Sequence, residues 1–143
     1  MSYTLQVRDS LNAISPSFCL AKWLQVTLHL HSGHTHSCHH PRRHEVPLSE
    51  LENNPSALHN TKFKKEQRRL MREGERPSEC QYCWNIEDMS ADFWSDRYIK
   101  SGETWAFPFF DEVVDAPVQA DINPKYVEVS FSNTCQFRCS YCS

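Results

Sequence analysis

Seven cysteines, gathered into two groups that differ in spacing, constrain this 143-residue chain more than any other feature. Cys135, Cys139 and Cys142 form a C-x3-C-x2-C run. Cys19, Cys38, Cys80 and Cys83 are separated by 18, 41 and 2 residues. The count is odd, it is about 5% of the chain against the roughly 8 to 10% of disulfide scaffolds, and Met1 to Asn12 shows no charged-then-apolar secretion signal. Cysteines in such a chain are expected as metal ligands in a reducing compartment, and the cytoplasm is the expected location. Apolar residues make up 39% of the chain, below the usual 45 to 50% or so, so a metal is expected to supplement a thin core.

Fifteen basic and 18 acidic side chains give a net charge of -3, which does not mark a nucleic-acid or membrane-surface binder. No apolar run approaches the roughly 18 residues of a membrane span. The length allows one domain at most.

Pattern along the chain predicts an α+β fold. Residues 1–17 have no strong period and read as a loosely ordered start. Leu24, Val26, Leu28 and Leu30 alternate with Gln25, Thr27, His29 and His31, the period of a half-buried strand. Ser32-Gly33 reads as a turn, and a short return strand would carry Cys38 back towards Cys19. Seven of the eight histidines lie between residues 29 and 44. They read as solvated side chains, with a zinc site made from His39, His40 or His44 and a cysteine as the alternative.

Ser49 and Glu52 fit a capping box for a helix cut short by Pro55. A second helix is expected from about Lys62 to Glu73, capped by Asn60 or Thr61, stopped by Gly74, and buried through Phe63, Leu70 and Met71. Its other face, with Lys62, Lys64, Lys65, Arg68, Arg69 and Arg72, reads as solvated. A third helix is expected to open at Ser90 and close before Gly102. Residues 103–124 read as an irregular aromatic linker that packs on something, and Tyr126 to Phe131 as a strand.

Three thiolates on a loop of eight residues can ligate three irons of a cubane and leave the fourth without a protein ligand. An open coordination position marks a reactive metal site, whereas structural zinc wants a closed tetrahedron. Ser132-Asn133-Thr134-Cys135-Gln136-Phe137-Arg138-Cys139-Ser140-Tyr141-Cys142 resembles the signature of the radical SAM superfamily, C-x3-C-x-aromatic-C after the first barrel strand. The resemblance implies a 4Fe-4S cluster on Cys135, Cys139 and Cys142, S-adenosylmethionine on its open iron, an electron donor, and 5'-deoxyadenosyl radical chemistry. Tyr141 would contact the adenine, and no catalytic side chain is assigned.

Cys80-x2-Cys83 aims two sulfurs at one centre, and Cys19 and Cys38 complete a set of four. Spacing alone leaves zinc and iron-sulfur both open. The stretch from Phe18-Cys19 and Trp23 through Cys38 to Arg69-Leu70-Met71-Arg72-Glu73-Gly74-Glu75-Arg76-Pro77-x2-Cys80-x2-Cys83, continued by Glu87 and Ser95-Asp96-Arg97, resembles the auxiliary-cluster segment of twitch-type radical SAM proteins, kin to SPASM domains. That likeness implies an auxiliary 4Fe-4S cluster within residues 18–102. Two departures are Lys22 where many relatives have Pro, and His39 where they have a second Cys. Residues 125–143 then resemble only the start of a radical SAM barrel, which takes about 200 residues or more. The expectation is an N-terminal part of such an enzyme, inactive alone, acting on a substrate that is a peptide or protein by group analogy. The competing expectation is a zinc-stabilised binding module that offers the Lys62 to Arg72 helix to an acidic partner or RNA.

Overall fold

A computed structural model describes residues 2–135 and 140. The chain is α+β, with a four-stranded mixed sheet and short helices around one core. It opens on helix α1, Tyr3–Ile14. This corrects the expectation of a loosely ordered start: Ser2 Oγ accepts from the Leu5 amide at 3.4 Å, and Val7 and Leu11, one turn apart, are buried. Val7, Leu11 and Ile14 stand at i, i+4 and i+7, a short helical period in the sequence itself, and they face the core where α1 packs beside Tyr98 and Gly102.

Helix α2, Ala21–Leu24, is a single buried turn that runs into strand β1, Gln25–His29. Ser32 and Gly33 turn the chain, Gly33 at a φ of 67° that suits glycine, into strand β2, His34–His36. The antiparallel register Thr27↔His36 bears out the expected hairpin. The burial pattern differs from simple alternation. Gln25 and Thr27 are buried with Val26, because helices cover the start of β1, while Leu30 lies 49% exposed past its end. Strand β3, His44–Glu45, pairs with β2.

Helix α3, Leu48–Asn53, has Pro47 rather than Ser49 at its N-cap position. The expected capping box does not form: Glu50 instead accepts from the Lys62 amide at 2.9 Å. Pro55–Leu58 is a 3-10 turn. Helix α4, Lys62–Arg72, starts as expected at Thr61, whose hydroxyl accepts from the Lys64 amide at 3.1 Å. It stops in a Schellman arrangement around Gly74, with Glu75 N–H on Leu70 O at 2.9 Å and Gly74 at a φ of 84°.

The buried face of α4 is not the predicted one. Lys64, Arg68 and Met71 point inward, whereas Phe63 is 44% exposed. Lys64 reaches His59 Nδ1 at 2.7 Å, and Arg68 reaches Asn60 Oδ1 at 2.7 Å and Lys22 O at 3.2 Å. The outer basic residues are engaged too: Lys65 with Asp121, Arg69 with Glu66 and Glu73, Arg72 with carbonyls of Val114 and Ala116. The basic stripe expected on this helix is therefore divided between the interior and local ion pairs.

Helix α5, Gln81–Met89, follows the 3-10 turn Ser78–Cys80, and helix α6, Asp96–Ser101, closes at Gly102. The helix expected to open at Ser90 is corrected by both, since Ser90 is extended and ends α5. Cys83 and Trp84 anchor α5, and reading the cysteine only as a ligand hid its share of the apolar face. The aromatic stretch contains the 3-10 turn Phe107–Phe109 and helix α7, Phe110–Asp115. It packs on the core as expected, through Ala106 and Val113.

Strand β4, Tyr126–Ser130, pairs in parallel with β1 from Gln25↔Tyr126 to His29↔Ser130, giving the order β3-β2-β1-β4. Parallel neighbours need a long crossover, and the intervening helices provide it. Val127, Val129 and Phe131 remain 51%, 39% and 75% exposed on this edge strand. Among the described residues, no helix is long and apolar enough to cross a membrane.

Candidate metal centre

Three segments remote in sequence bring Cys19, Cys38, Cys80 and Cys83 to the wall of one cavity. Cys19 precedes α2, Cys38 follows β2, Cys80 ends the 3-10 turn that leads into α5, and Cys83 lies in the first turn of α5. The cavity has about 400 Å³ of empty space including its mouth. Met71 and Trp84 supply apolar lining, while His40, Asp96 and Lys100 also border it. Trp84 Nε1–H donates to Pro77 O at 2.8 Å and so holds the Cys80–Cys83 turn against the core.

All four thiols are reduced, and every pair among them is within electrostatic reach. Burial, reinforced by the neighbouring sulfurs, pushes Cys38 and Cys83 up to about 12 and Cys80 to about 11. At neutral pH these groups are therefore thiols, and a metal would have to displace their protons to bind.

Each sulfur nevertheless has a hydrogen-bond donor. The Ser101 hydroxyl, itself accepting from the Leu20 amide at 3.0 Å, lies 4.0 Å from Cys19 Sγ. The backbone N–H groups of His40 and Arg97 serve Cys38 and Cys83, and the Lys22 ammonium serves Cys80. Donors aimed at sulfur stabilise thiolate and tune any metal it holds.

Basic side chains are buried around this region, Lys22 and Arg97 on the cavity wall and Lys64 and Arg68 deeper in the core. Lys22, Lys64, Arg68 and Arg97 are each at most 2% exposed. Lys22 pairs with Glu79, and Arg97 pairs with Glu87 at 2.8 Å. The partners of Lys64 and Arg68 named above are neutral. Burial, with Arg68 and Lys22 adding, lowers Lys64 well below the ordinary lysine range. For Lys22, burial opposes the charge, but Cys80 and Glu79 outweigh it and raise its pKa.

Glu87, Ser95 and Arg97, adjacent in the sequence pattern, meet in space. Ser95 Oγ donates to Glu87, and Arg97 also donates to Phe18 O at 3.0 Å, which fixes the residue before Cys19. Sequence reasoning missed Lys22 and Ser101 as members of the site. For Lys22 the only signal was its place two residues past the Cys19–Leu20 pair, beside a tryptophan.

Of the histidines considered as ligands, His40 alone borders the cavity; its Nε2 lies 2.7 Å from Asp96 and its ring stacks on Tyr82 at 3.7 Å. His39 faces Glu128 at 3.9 Å, and His44 lies against Thr61 and Phe63. On the hairpin, His29 and His36 approach at 3.0 Å between their Nε2 atoms, and His36 Nδ1–H donates to Cys38 O at 2.6 Å. Among the described residues, no three His, Cys, Asp or Glu side chains are spaced to hold a single metal ion.

Cys135 is exposed and lies just beyond β4, after a turn in which Thr134 N–H donates to Ser132 Oγ at 3.0 Å. Cys139, Tyr141 and Cys142 lie outside the described residues. Comparison with models of known protein families, with curated proteins and with solved structures finds no match to this chain.

Proposed function

We propose that the chain is the N-terminal part of a radical SAM iron-sulfur protein, with one 4Fe-4S cluster on Cys135, Cys139 and Cys142 and an auxiliary 4Fe-4S cluster on Cys19, Cys38, Cys80 and Cys83. The observation that carries this reading is the convergence of four sulfurs on one cavity, each with its own donor and backed by buried cations. Four thiolates around a metal centre carry net negative charge, and buried Lys22, beside Cys80 and Cys38, and buried Arg97, near Cys19, offset such a charge. Sulfurs spread around a cavity wall, rather than closed on a point, suit a multi-iron cluster better than a lone zinc ion.

The second part of the reading rests on the C-x3-C-x-aromatic-C run and on its place after a strand, since β4 ends directly before it. Cys135, Cys139 and Cys142 would hold such a cluster with one iron free of protein ligands, and when bound it would supply the electron for reductive cleavage of S-adenosylmethionine. This chain's own residues hold and orient: Arg97 fixes Phe18, Trp84 fixes the Cys80–Cys83 turn, and Met71 with Trp84 limits water at the auxiliary site. The zinc-module alternative loses its binding face, because Lys64 and Arg68 are interior and the remaining basic residues of α4 are largely engaged.

Anaerobic reconstitution tests the reading. Adding S-adenosylmethionine to the reduced protein should change the electron paramagnetic resonance of one cluster and leave the other unchanged. Colourless protein with a single zinc, or a spectrum indifferent to the cofactor, contradicts it.

A further inference from the structure

The four sulfurs of the cavity are not served alike. Cys19 faces a hydroxyl, Cys38 and Cys83 face backbone N–H groups, and Cys80 alone of the four takes a hydrogen bond from a full positive charge, which also acts at longer range on Cys38. That charge is the Lys22 ammonium, 2% exposed, projecting from α2 into the cavity wall and paired with Glu79, the residue next to Cys80. Burying an ammonium is costly even beside a carboxylate, by several kcal/mol before the pair is formed. A surface lysine would have served packing equally well by extending its head to water. The structure instead keeps this one inside, at one corner of a site whose occupant carries negative charge.

We propose that Lys22 is a positioning residue that sets the reduction potential of the auxiliary cluster, its ammonium stabilising the reduced state through Cys80. The proposal rests on the iron-sulfur reading of the four cysteines. Reduction adds one electron to a centre that is already anionic, and a cation fixed nearby lowers the energy of the reduced state more than that of the oxidised state. Glu79 opposes this effect, because its carboxylate lies on the same side. The two residues therefore act with opposite signs, and a merely structural pair would not.

The test uses the full chain carrying Cys135→Ala, Cys139→Ala and Cys142→Ala, so that only the auxiliary site holds iron. The oxidised cluster is titrated with titanium(III) citrate, each electron gained matched by one Ti(III) oxidised to Ti(IV), and the reduced fraction is read by electron paramagnetic resonance. Lys22→Met should lower the ratio of reduced to oxidised cluster at fixed potential at least about tenfold, equivalent to a midpoint about 59 mV more negative for one electron. Lys22→Arg should stay close to the parent. Glu79→Gln should shift the midpoint the opposite way, and it decides the matter if Lys22→Met does not fold. Iron retained with midpoints that do not move, or that move in the same direction for Lys22→Met and Glu79→Gln, overturns the role of Lys22. Loss of all iron from the parent background overturns the auxiliary-cluster reading itself.

Discussion

The two cysteine groups differ in how much of the fold each needs. The trio is local: Cys135, Cys139 and Cys142 lie within eight residues, and the described member is exposed beyond an edge strand. The quartet spans residues 19–83 and converges only after α2, the hairpin and α5 have packed around Trp23 and Trp84. Local sulfurs ask little of the tertiary structure, so a metal lost from them should cost little stability. Remote sulfurs close long loops, so a metal bound there stabilises the folded state over the unfolded one.

The largest difference between the regions should appear on removing ligands. Cys83→Ser is expected to abolish iron at the auxiliary site and to lower the melting temperature well below that of the reconstituted parent. Alanine at all three trio positions should remove the other cluster and leave that temperature nearly unchanged. Calorimetry with iron analysis checks both, and equal destabilisation would erase the distinction.

Next in size is Arg97→Met. Arg97 is buried against Glu87 and Phe18 O, and its loss leaves a carboxylate unpaired inside, at about 3 to 5 kcal/mol in chemical denaturation. On the exposed side, Val129→Thr should change stability by no more than about 0.5 kcal/mol.

Acid sharpens the comparison from another direction. Burial, with Lys64 and Lys22 adding, lowers His44 to about 4. Its folded value lies below its unfolded one, so the neutral ring contributes stability that is complete above the ordinary histidine value of about 6.5. That stability is lost as pH falls from there through about 4, at most about 3 kcal/mol. Urea titrations across this window should show the loss in the parent and a reduced slope in His44→Gln. The smallest effect is expected from Thr61→Ala, which removes the α4 cap for about 1 kcal/mol.

Much of this architecture was legible because its signals are local. The turn at Ser32-Gly33, the cap at Thr61, the stop at Gly74 and the C-x2-C turn each depend on a few neighbouring residues. The convergence of Cys19 and Cys38 was legible from the hairpin. Helix α1 was less plain, since its stripe of Val7, Leu11 and Ile14 is short and the surface that covers it comes from near residue 100. Parallel pairing of β4 with β1 joins residues about 100 positions apart and leaves no mark in either strand. The buried basic residues were misread for a simpler reason: Lys64 and Arg68 look like the polar face of an amphipathic helix, and only the neutral acceptors of His59, Asn60 and backbone carbonyls in the interior turn that face inward.

The account depends most on the claim that the two groups hold separate clusters. Mössbauer spectroscopy of ⁵⁷Fe-reconstituted protein tests it directly, comparing the parent with variants lacking the trio and lacking the quartet. Two cubane signals in the parent and one in each variant are predicted, with an S-adenosylmethionine-sensitive iron only where the trio is intact. A single signal that survives removal of the quartet, or no iron signal in any of the three proteins, would contradict it.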